Sequence, residues 1–126
     1  MVLRYGLLYG PGTWYARGGL MAEAAARGEL AADADVSSFV HVDDAAGAAA
    51  DALAWPAGFV NVCDDVPAPG REWVPAFGRG VGVVAEPVFS GGDRQGWARG
   101  ASNEYARKSL HWAPAWPSWR EGFAAL

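Results

Sequence analysis

The stretch VSSFVHVDDAAGAAADALA, residues 36–54, decides the fold class. Its first part is rich in β-branched and aromatic residues, which predicts a strand over residues 36–42. Asp43 or Asp44 then offers a side-chain acceptor to the free N–H groups at the start of a helix, which the alanine-rich part continues to about Ala54. A strand that leads directly into a helix is typical of α/β proteins.

The remaining sequence continues the same alternation of strands and helices. Short apolar runs closed by Gly, Pro or Asp predict further strands over Val2–Leu8, Gly58–Cys63 and Val81–Val88. Segments with helix-forming composition or start signals predict helices over Trp14–Arg27, Arg71–Phe77 and Ser102–Leu110, and from Ser118 to the end. A glycine-rich polar loop is predicted at residues 89–100, between the last of these strands and the helix that begins at Ser102. The sequence therefore predicts one small α/β domain over residues 1–126.

Charge and composition exclude several classes of function. The chain has 126 residues with 10 Lys+Arg and 14 Asp+Glu and no basic cluster, so we expect no nucleic-acid partner. One cysteine and two histidines predict neither a disulfide framework nor a metal site. No apolar run approaches the ~20 residues that span a bilayer, and the N-terminus does not have the pattern of a secretory signal. We therefore expect no membrane association and a cytoplasmic location.

Several segments together resemble a known family. In chain order they are LRYGLLYGPG at 3–12, FVHVDDAAGAA at 39–49, FVNVCDDVP at 59–67, REW at 71–73 and SNEYARKSLHWAPAWPSWREGF at 102–123. Their order and spacing are similar to the C-terminal part of the NAD-dependent epimerase/dehydratase family, the extended short-chain dehydrogenases/reductases. The resemblance implies a lobe that binds substrate and closes over a nucleotide-binding sheet.

Other motifs of that family are missing from the sequence. No G-x-x-G-x-x-G or G-x-G-x-x-G loop follows a strand and precedes a helix, so we expect no bound NAD and no other cofactor in this chain alone. The family's Tyr-x-x-x-Lys pair is also missing, because Tyr105 and Lys108 are one position too close. Leu7 stands where sugar-nucleotide epimerases commonly have a substrate-binding Asn. A lobe without its nucleotide-binding sheet exposes apolar surface, which predicts a homodimer or a covering partner chain.

Three residues are candidates for catalysis, two of them through the resemblance and one through its own chemistry. Tyr5 and Tyr9 flank the YGPG turn, which in the family lies near the reactive end of the cofactor, and a Tyr hydroxyl there can orient a carbonyl or act as a weak acid. His41 ends the strand of the best-defined motif, and imidazole can serve as acid or base near neutral pH. The alternative is structural: the two tyrosines pack in a core, and His41 makes a hydrogen bond at the strand end.

Five further residues are candidates for ligand binding. Trp14 and Tyr15 follow the turn at positions that resemble the family's pocket entrance, and Arg4 alternates with the neighbouring tyrosine on a strand. Arg94 lies in the glycine-rich loop, where related enzymes place an Arg on a diphosphate, and Trp97 is available for stacking. The alternatives are ordinary packing for the aromatic residues and a solvated loop for the arginine.

Two hypotheses for function follow. The first is a free-standing domain that binds a small molecule in an aromatic cleft. If it is an enzyme, we expect a cofactor-independent isomerase, cyclase or dehydratase, because the chain lacks a hydride carrier. The second is the C-terminal piece of an NAD(P)-dependent epimerase or reductase that needs a separate or missing dinucleotide-binding domain.

Overall fold

The computed structural model describes all residues, 1–126. Its eight short strands form four pairs. The strands are β1 (Val2–Tyr5), β2 (Leu7–Tyr9), β3 (Ala31–Ala32), β4 (Val36–Ser37), β5 (Phe39–His41), β6 (Phe59–Val62), β7 (Ala68–Pro69) and β8 (Val88–Phe89). The pairs β1–β6, β2–β5 and β3–β8 are parallel, and β4–β7 is antiparallel. The predicted α/β fold is confirmed.

Five α-helices lie between and after the strands. They are α1 (Leu20–Ala26), α2 (Val42–Asp51), α3 (Gly70–Gly80), α4 (Glu104–Ser109) and α5 (Trp119–Ala124). A short 3₁₀ turn over Ala52–Ala54 extends α2. The helix α3 carries Trp73, Val74 and Phe77 on its buried side and packs against α5. No helix in the structure is long and apolar enough to cross a lipid bilayer.

The first strand changes partner at Gly6. The N–H of Gly6 donates to the carbonyl of Val62 at 3.0 Å, while the next N–H, of Leu7, donates to the carbonyl of Ser38 at 2.8 Å. Successive N–H groups of an extended chain point to opposite sides. Residues 2–9 therefore join two parallel pairs through one continuous segment of chain.

Two groups of buried side chains form the core. The larger one is rich in aromatic rings in edge-to-face contact and includes Tyr9, Tyr15, Phe39, Trp73, Phe77, Trp119 and Phe123. The smaller one lies around β6 and α2 and includes Val40, Ala48, Val60, Val62 and Trp112. The aromatic composition of the sequence is thus explained mainly by packing.

The best-defined sequence motif folds as predicted, except for its cap. The strand over residues 36–42 is present as β4 and β5, and α2 follows directly. The expected cap by Asp43 or Asp44 was wrong. The Nδ1 atom of His41 instead accepts the N–H of Asp43 at 3.0 Å, and the Asp44 carboxylate accepts the N–H groups of Ala115 and Trp116. Asp44 therefore links α2 to the segment before α5 through two hydrogen bonds.

Two other predicted elements differ from the structure. The strand expected over Val81–Val88 was wrong, because the first residues after α3 turn back on it: the N–H of Val83 donates to the carbonyl of Gly78. Only Val88 and Phe89 are extended and paired. The helix expected from Trp14 begins at Leu20, since residues 14–19 form turns.

Candidate functional site

The turn after β2 places aromatic side chains beside the carboxyl ends of two parallel strands. Gly10 and Gly12 have φ angles of 112° and 82°, which favour glycine, and the turn returns the chain so that Tyr15 bridges to Tyr9. The ends of β2 and β5 meet here, because Tyr9 is in register with His41. Clefts at the carboxyl ends of parallel strands are common ligand sites in α/β proteins.

The first cleft at this edge contains three of the predicted site residues. We call it the Trp14 cleft; it has a volume of about 510 Å³, and its lining includes Tyr5, Leu7, Leu8, Trp14, Tyr15 and Val42. Trp14 is 65% exposed and Tyr15 is nearly buried. The Tyr5 hydroxyl donates to the carbonyl of Ala45 at 2.8 Å, and partial burial raises its pKa. The cleft is thus mainly apolar, with one phenol already engaged by the backbone.

Tyr9 lies in the core and lines none of the clefts described here. Its ring is fully buried and packs edge-to-face on Phe39, His41 and Phe123. Its hydroxyl has no hydrogen-bond partner in the chain. Burial, followed by the negative charges of nearby acidic groups, raises the pKa of the phenol well above its usual value. A ligand reaches this hydroxyl only if the packing around it opens.

His41 lines a second cleft, of about 540 Å³, that we call the His41 cleft. The ring stacks on Trp116, with centroids 5.0 Å apart and planes 14° from parallel. Because Nδ1 accepts the N–H of Asp43, the neutral ring carries its proton on Nε2. Arg17 lines the same cleft. The predicted structural hydrogen bond at the strand end is therefore present, and any acid or base role of His41 is confined to Nε2.

The other predicted residues lie apart from these two clefts. The Arg4 guanidinium lies 5.6 Å from the centre of the Phe59 ring. Arg94 donates to the carbonyls of Gln95 and Gly96 in its own exposed loop. Trp97 is 81% exposed and lines a third cleft, of about 290 Å³, which Tyr15 also lines. We call this third one the Trp97 cleft; Tyr15 lies between it and the Trp14 cleft.

Sequence reasoning missed one buried carboxyl group. Asp64 follows β6 and is 1% exposed; its Oδ1 accepts the N–H of Val66 at 3.0 Å, while Oδ2 has no partner in the chain. Burial, with repulsion from Asp65 and Asp44, raises its pKa to about 7, although backbone N–H groups oppose the shift. The residues Asp64–Asp65 read only as the end of a strand, because nothing in a sequence says that a carboxyl after a strand turns inward.

The structure has one cysteine, and it contains no cluster of metal-ligating side chains. Cys63 is a buried free thiol whose pKa burial raises to about 11, so it stays protonated at neutral pH. No group of three or more His, Cys, Asp or Glu side chains is placed to hold a metal ion.

A bacterial reductase is similar to this chain in sequence. The 3-diazoavenalumate denitrifying reductase of a Streptomyces species is 44% identical over an alignment of 137 positions, gaps included, which covers 97% of this chain and 45% of that protein. No protein-family model matches the chain.

Solved structures of epimerases have the same fold. The UDP-glucose 4-epimerase of Thermotoga maritima, crystallised with UDP-glucose, is 27% identical with a TM-score of 0.68, and the match covers 98% of this chain and 43% of that one. The Thermus thermophilus enzyme, in complex with NAD, is 25% identical with a TM-score of 0.67, at 97% and 43% coverage. The chain is related to the epimerase/dehydratase/reductase family. It spans less than half the length of these relatives, and its place in their C-terminal part stays a prediction.

Proposed function

We propose that this chain is the substrate-binding part of a reductase and works together with a separate or covalently linked dinucleotide-binding part. The observation that carries the proposal is the 44% identity with a protein named as a reductase. That name specifies reduction of a diazo compound, and we propose a small organic diazo compound as the substrate class here too. The hypotheses of a cofactor-independent isomerase, cyclase or dehydratase have no comparable support.

The chain's own helix starts do not fit a dinucleotide. A pyrophosphate is usually bound by free N–H groups where a strand leads into a helix. At the start of α2 the His41 ring takes one of these N–H groups, and Asp43 and Asp44 place negative charge in the first turn. At the start of α3 the N–H groups of Gly70 and Arg71 donate to backbone carbonyls. We therefore assign the dinucleotide to the companion part.

One edge of β1 is suited to that companion. The N–H groups of Val2 and Gly6 donate toward β6, so those of Leu3 and Tyr5 point to the opposite side, where no strand of this chain pairs. Unpaired edges bind added strands. Along the same segment large apolar side chains are exposed by about two-fifths or more of their surface, namely Val2, Tyr5, Leu7 and Leu8.

The Trp14 cleft lies next to this edge, because Tyr5, Leu7 and Leu8 also line it. A companion that pairs with β1 therefore closes the cleft on its open side. We propose that the substrate binds there, between Trp14 and the companion, with the Tyr5 hydroxyl available to the ligand when it leaves the Ala45 carbonyl. Tyr15 forms the inner wall of the cleft.

The test is to add the companion. The part of the Streptomyces reductase that this chain does not match is produced separately and mixed with the chain. We expect a one-to-one complex by size-exclusion chromatography with light scattering, saturable NADPH binding, and NADPH consumption with an arenediazonium salt above the rate of either part alone. The Leu7→Glu variant should lose the complex, because it places a charge on the apolar edge, while Val84→Glu should retain it, since Val84 is exposed and lies outside the Trp14 cleft.

Two results would contradict the proposal. Saturable NADPH binding by the chain alone would show that the dinucleotide site lies within it. A stable homodimer through β1 that excludes the companion, and that Leu7→Glu converts to monomer, would favour the predicted homodimer and a free-standing binding domain instead.

A further inference from the structure

The Trp97 cleft combines aromatic walls with negative charge. Tyr15 and Trp73 form its inner wall, with ring centres 5.9 Å apart and planes inclined by 72°, and Trp97 lies at its mouth. Asp33 and Asp35 line the same cleft. At about 290 Å³ the cleft is at the small end of the range for small-molecule sites, ~300–1,000 Å³. It therefore suits a ligand of one or two rings.

No cationic side chain balances these two acids. No Lys, Arg or His lines the cleft, and neither Asp33 nor Asp35 forms an ion pair. The Asp33 Oδ1 atom accepts the N–H of Asp35, and the Asp35 Oδ1 atom accepts the N–H of Gln95 at 2.8 Å. Each carboxylate thus uses one oxygen to hold the backbone, and neither is neutralised by an ion pair, although Asp33 also lies against the first residue of α3. A phosphate or carboxylate ligand would be repelled here.

An unpartnered buried donor belongs to the same wall. The Trp73 side chain is 7% exposed, and its Nε1–H has no acceptor in the chain. A buried indole N–H usually donates to an acceptor, so the lack of an acceptor here is unusual for a well-packed core. The nitrogen itself is shielded from the cleft, so a ligand seated against this wall contacts the indole ring and reaches the N–H only if the packing around it opens.

The loop that carries Trp97 is held beside the acids. Besides the bond from Gln95 to Asp35, the N–H of Val36 donates to the carbonyl of Ala98 at 2.9 Å. Trp97 lies between these two anchor points, yet its indole is mostly free. It is therefore placed to cover a ring that enters the cleft, and an indole face attracts a cation more strongly than other aromatic faces.

From these observations we infer that the Trp97 cleft binds a flat organic cation. The carboxylates of Asp33 and Asp35 attract the positive charge of the ligand, and its ring lies between Trp97 and the inner wall. The inference concerns a cleft separate from the proposed reductase site and does not need the companion, so either proposal can fail without the other.

The experiment uses three probes that differ mainly in charge. They are 6-methoxy-1-methylquinolinium, neutral 6-methoxyquinoline and anionic 6-methoxy-2-naphthoate, titrated into the 126-residue chain by calorimetry at pH 8 and low salt. We expect the cation to bind at least tenfold more tightly than the neutral probe, the anion not to bind, and added salt to weaken the cation. Equal affinity for the cation and the neutral probe, or no binding of the cation, overturns the inference.

Matched variants locate the site. Asp33→Asn and Asp35→Asn retain Oδ1 as an acceptor and remove the charge, so each should weaken the cation about five- to tenfold and leave the neutral probe unchanged. Trp97→Ala should weaken both probes, whereas Val84→Ala and Asp93→Asn, also at exposed positions but outside the cleft, should not. The Trp73 indole N–H resonance should shift on saturation. Unchanged cation binding in both Asn variants, or loss of binding with Val84→Ala rather than Trp97→Ala, contradicts the assignment.

Discussion

Replacing Asp64 with Asn should change how the stability of this protein depends on pH. The carboxyl is 1% exposed, and one of its oxygens has no partner. Burial raises its pKa from 3.8 to about 7, an increase of about three units. Between these two values the folded state holds a proton that the unfolded chain releases. The free energy of unfolding therefore falls as pH rises from about 4 to about 7 and is level above that range.

The size of the effect follows from the shift. Each pKa unit corresponds to about 1.4 kcal/mol, so an ionised Asp64 costs the fold on the order of 4 kcal/mol above pH 7. That is a large fraction of the ~5–15 kcal/mol that stabilises an ordinary domain. Between pH 5.5 and pH 8.5 the loss should be about 2 kcal/mol, because part of the cost is already present at the lower pH. This interval also avoids precipitation near the isoelectric point of about 5.0.

Urea unfolding followed by Trp fluorescence measures this difference. Asp64→Asn retains Oδ1 as the acceptor for the Val66 N–H and cannot ionise. From pH 5.5 to pH 8.5 the free energy of unfolding of the natural sequence should fall by about 2 kcal/mol more than that of the variant. The variant should be the more stable of the two at pH 8.5. Asp93→Asn, in the exposed loop, should follow the natural sequence at both pH values. Parallel pH dependences for Asp64→Asn and the natural sequence would refute the reasoning.

Two further predictions concern α2 and α5. Gly122→Ala should destabilise the fold by about 2 kcal/mol in urea unfolding, because the added Cβ would overlap the buried ring of Tyr9. Gly47→Ala should instead stabilise α2 by ~0.5–1 kcal/mol, because a Cβ at that position meets nothing within 4 Å. Equal effects of the two substitutions would contradict this contrast. Ser118→Ala should lower the free energy of unfolding by ~1 kcal/mol, because the Ser118 Oγ accepts the Arg120 N–H at the start of α5. Ser90→Ala, at an exposed position, should lower it little. An unchanged free energy of unfolding in Ser118→Ala would show that the cap is not needed.

The sequence predicted the parts of the fold that local chemistry decides. The strand-to-helix sequence at residues 36–54 was recognised because β-branched residues give way to alanines at one point. The segment after α3 was misjudged for the opposite reason. Val81, Val83 and Val84 have the composition of a strand, but the backbone turns back onto α3 and leaves Val84 almost fully exposed. Composition alone cannot report where a chain reverses.

The candidate site was likewise predicted only where neighbouring residues decide its geometry. Tyr5, Trp14 and Tyr15 lie together because they flank one turn, and adjacency in sequence was enough to group them. Tyr9 belongs to the same turn, yet its ring points into the core. Which side of a strand is buried depends on α5, more than 100 residues later, whose Gly122 leaves room for that ring. A contact at this separation has no local signal.

The position of Tyr15 connects the two clefts that we propose as binding sites. Its nearly buried ring is a wall of both the Trp14 cleft and the Trp97 cleft, and it packs on Phe39, Trp73 and Phe77. A well-packed aromatic ring transmits a displacement to its neighbours, because cores have little free volume. Occupation of one cleft should therefore alter affinity at the other. Binding of the quinolinium cation should change the affinity of the chain for its companion, and by thermodynamic linkage the companion should change the affinity for the cation by the same factor. Independent binding at the two sites would show that Tyr15 does not transmit a displacement from one cleft to the other.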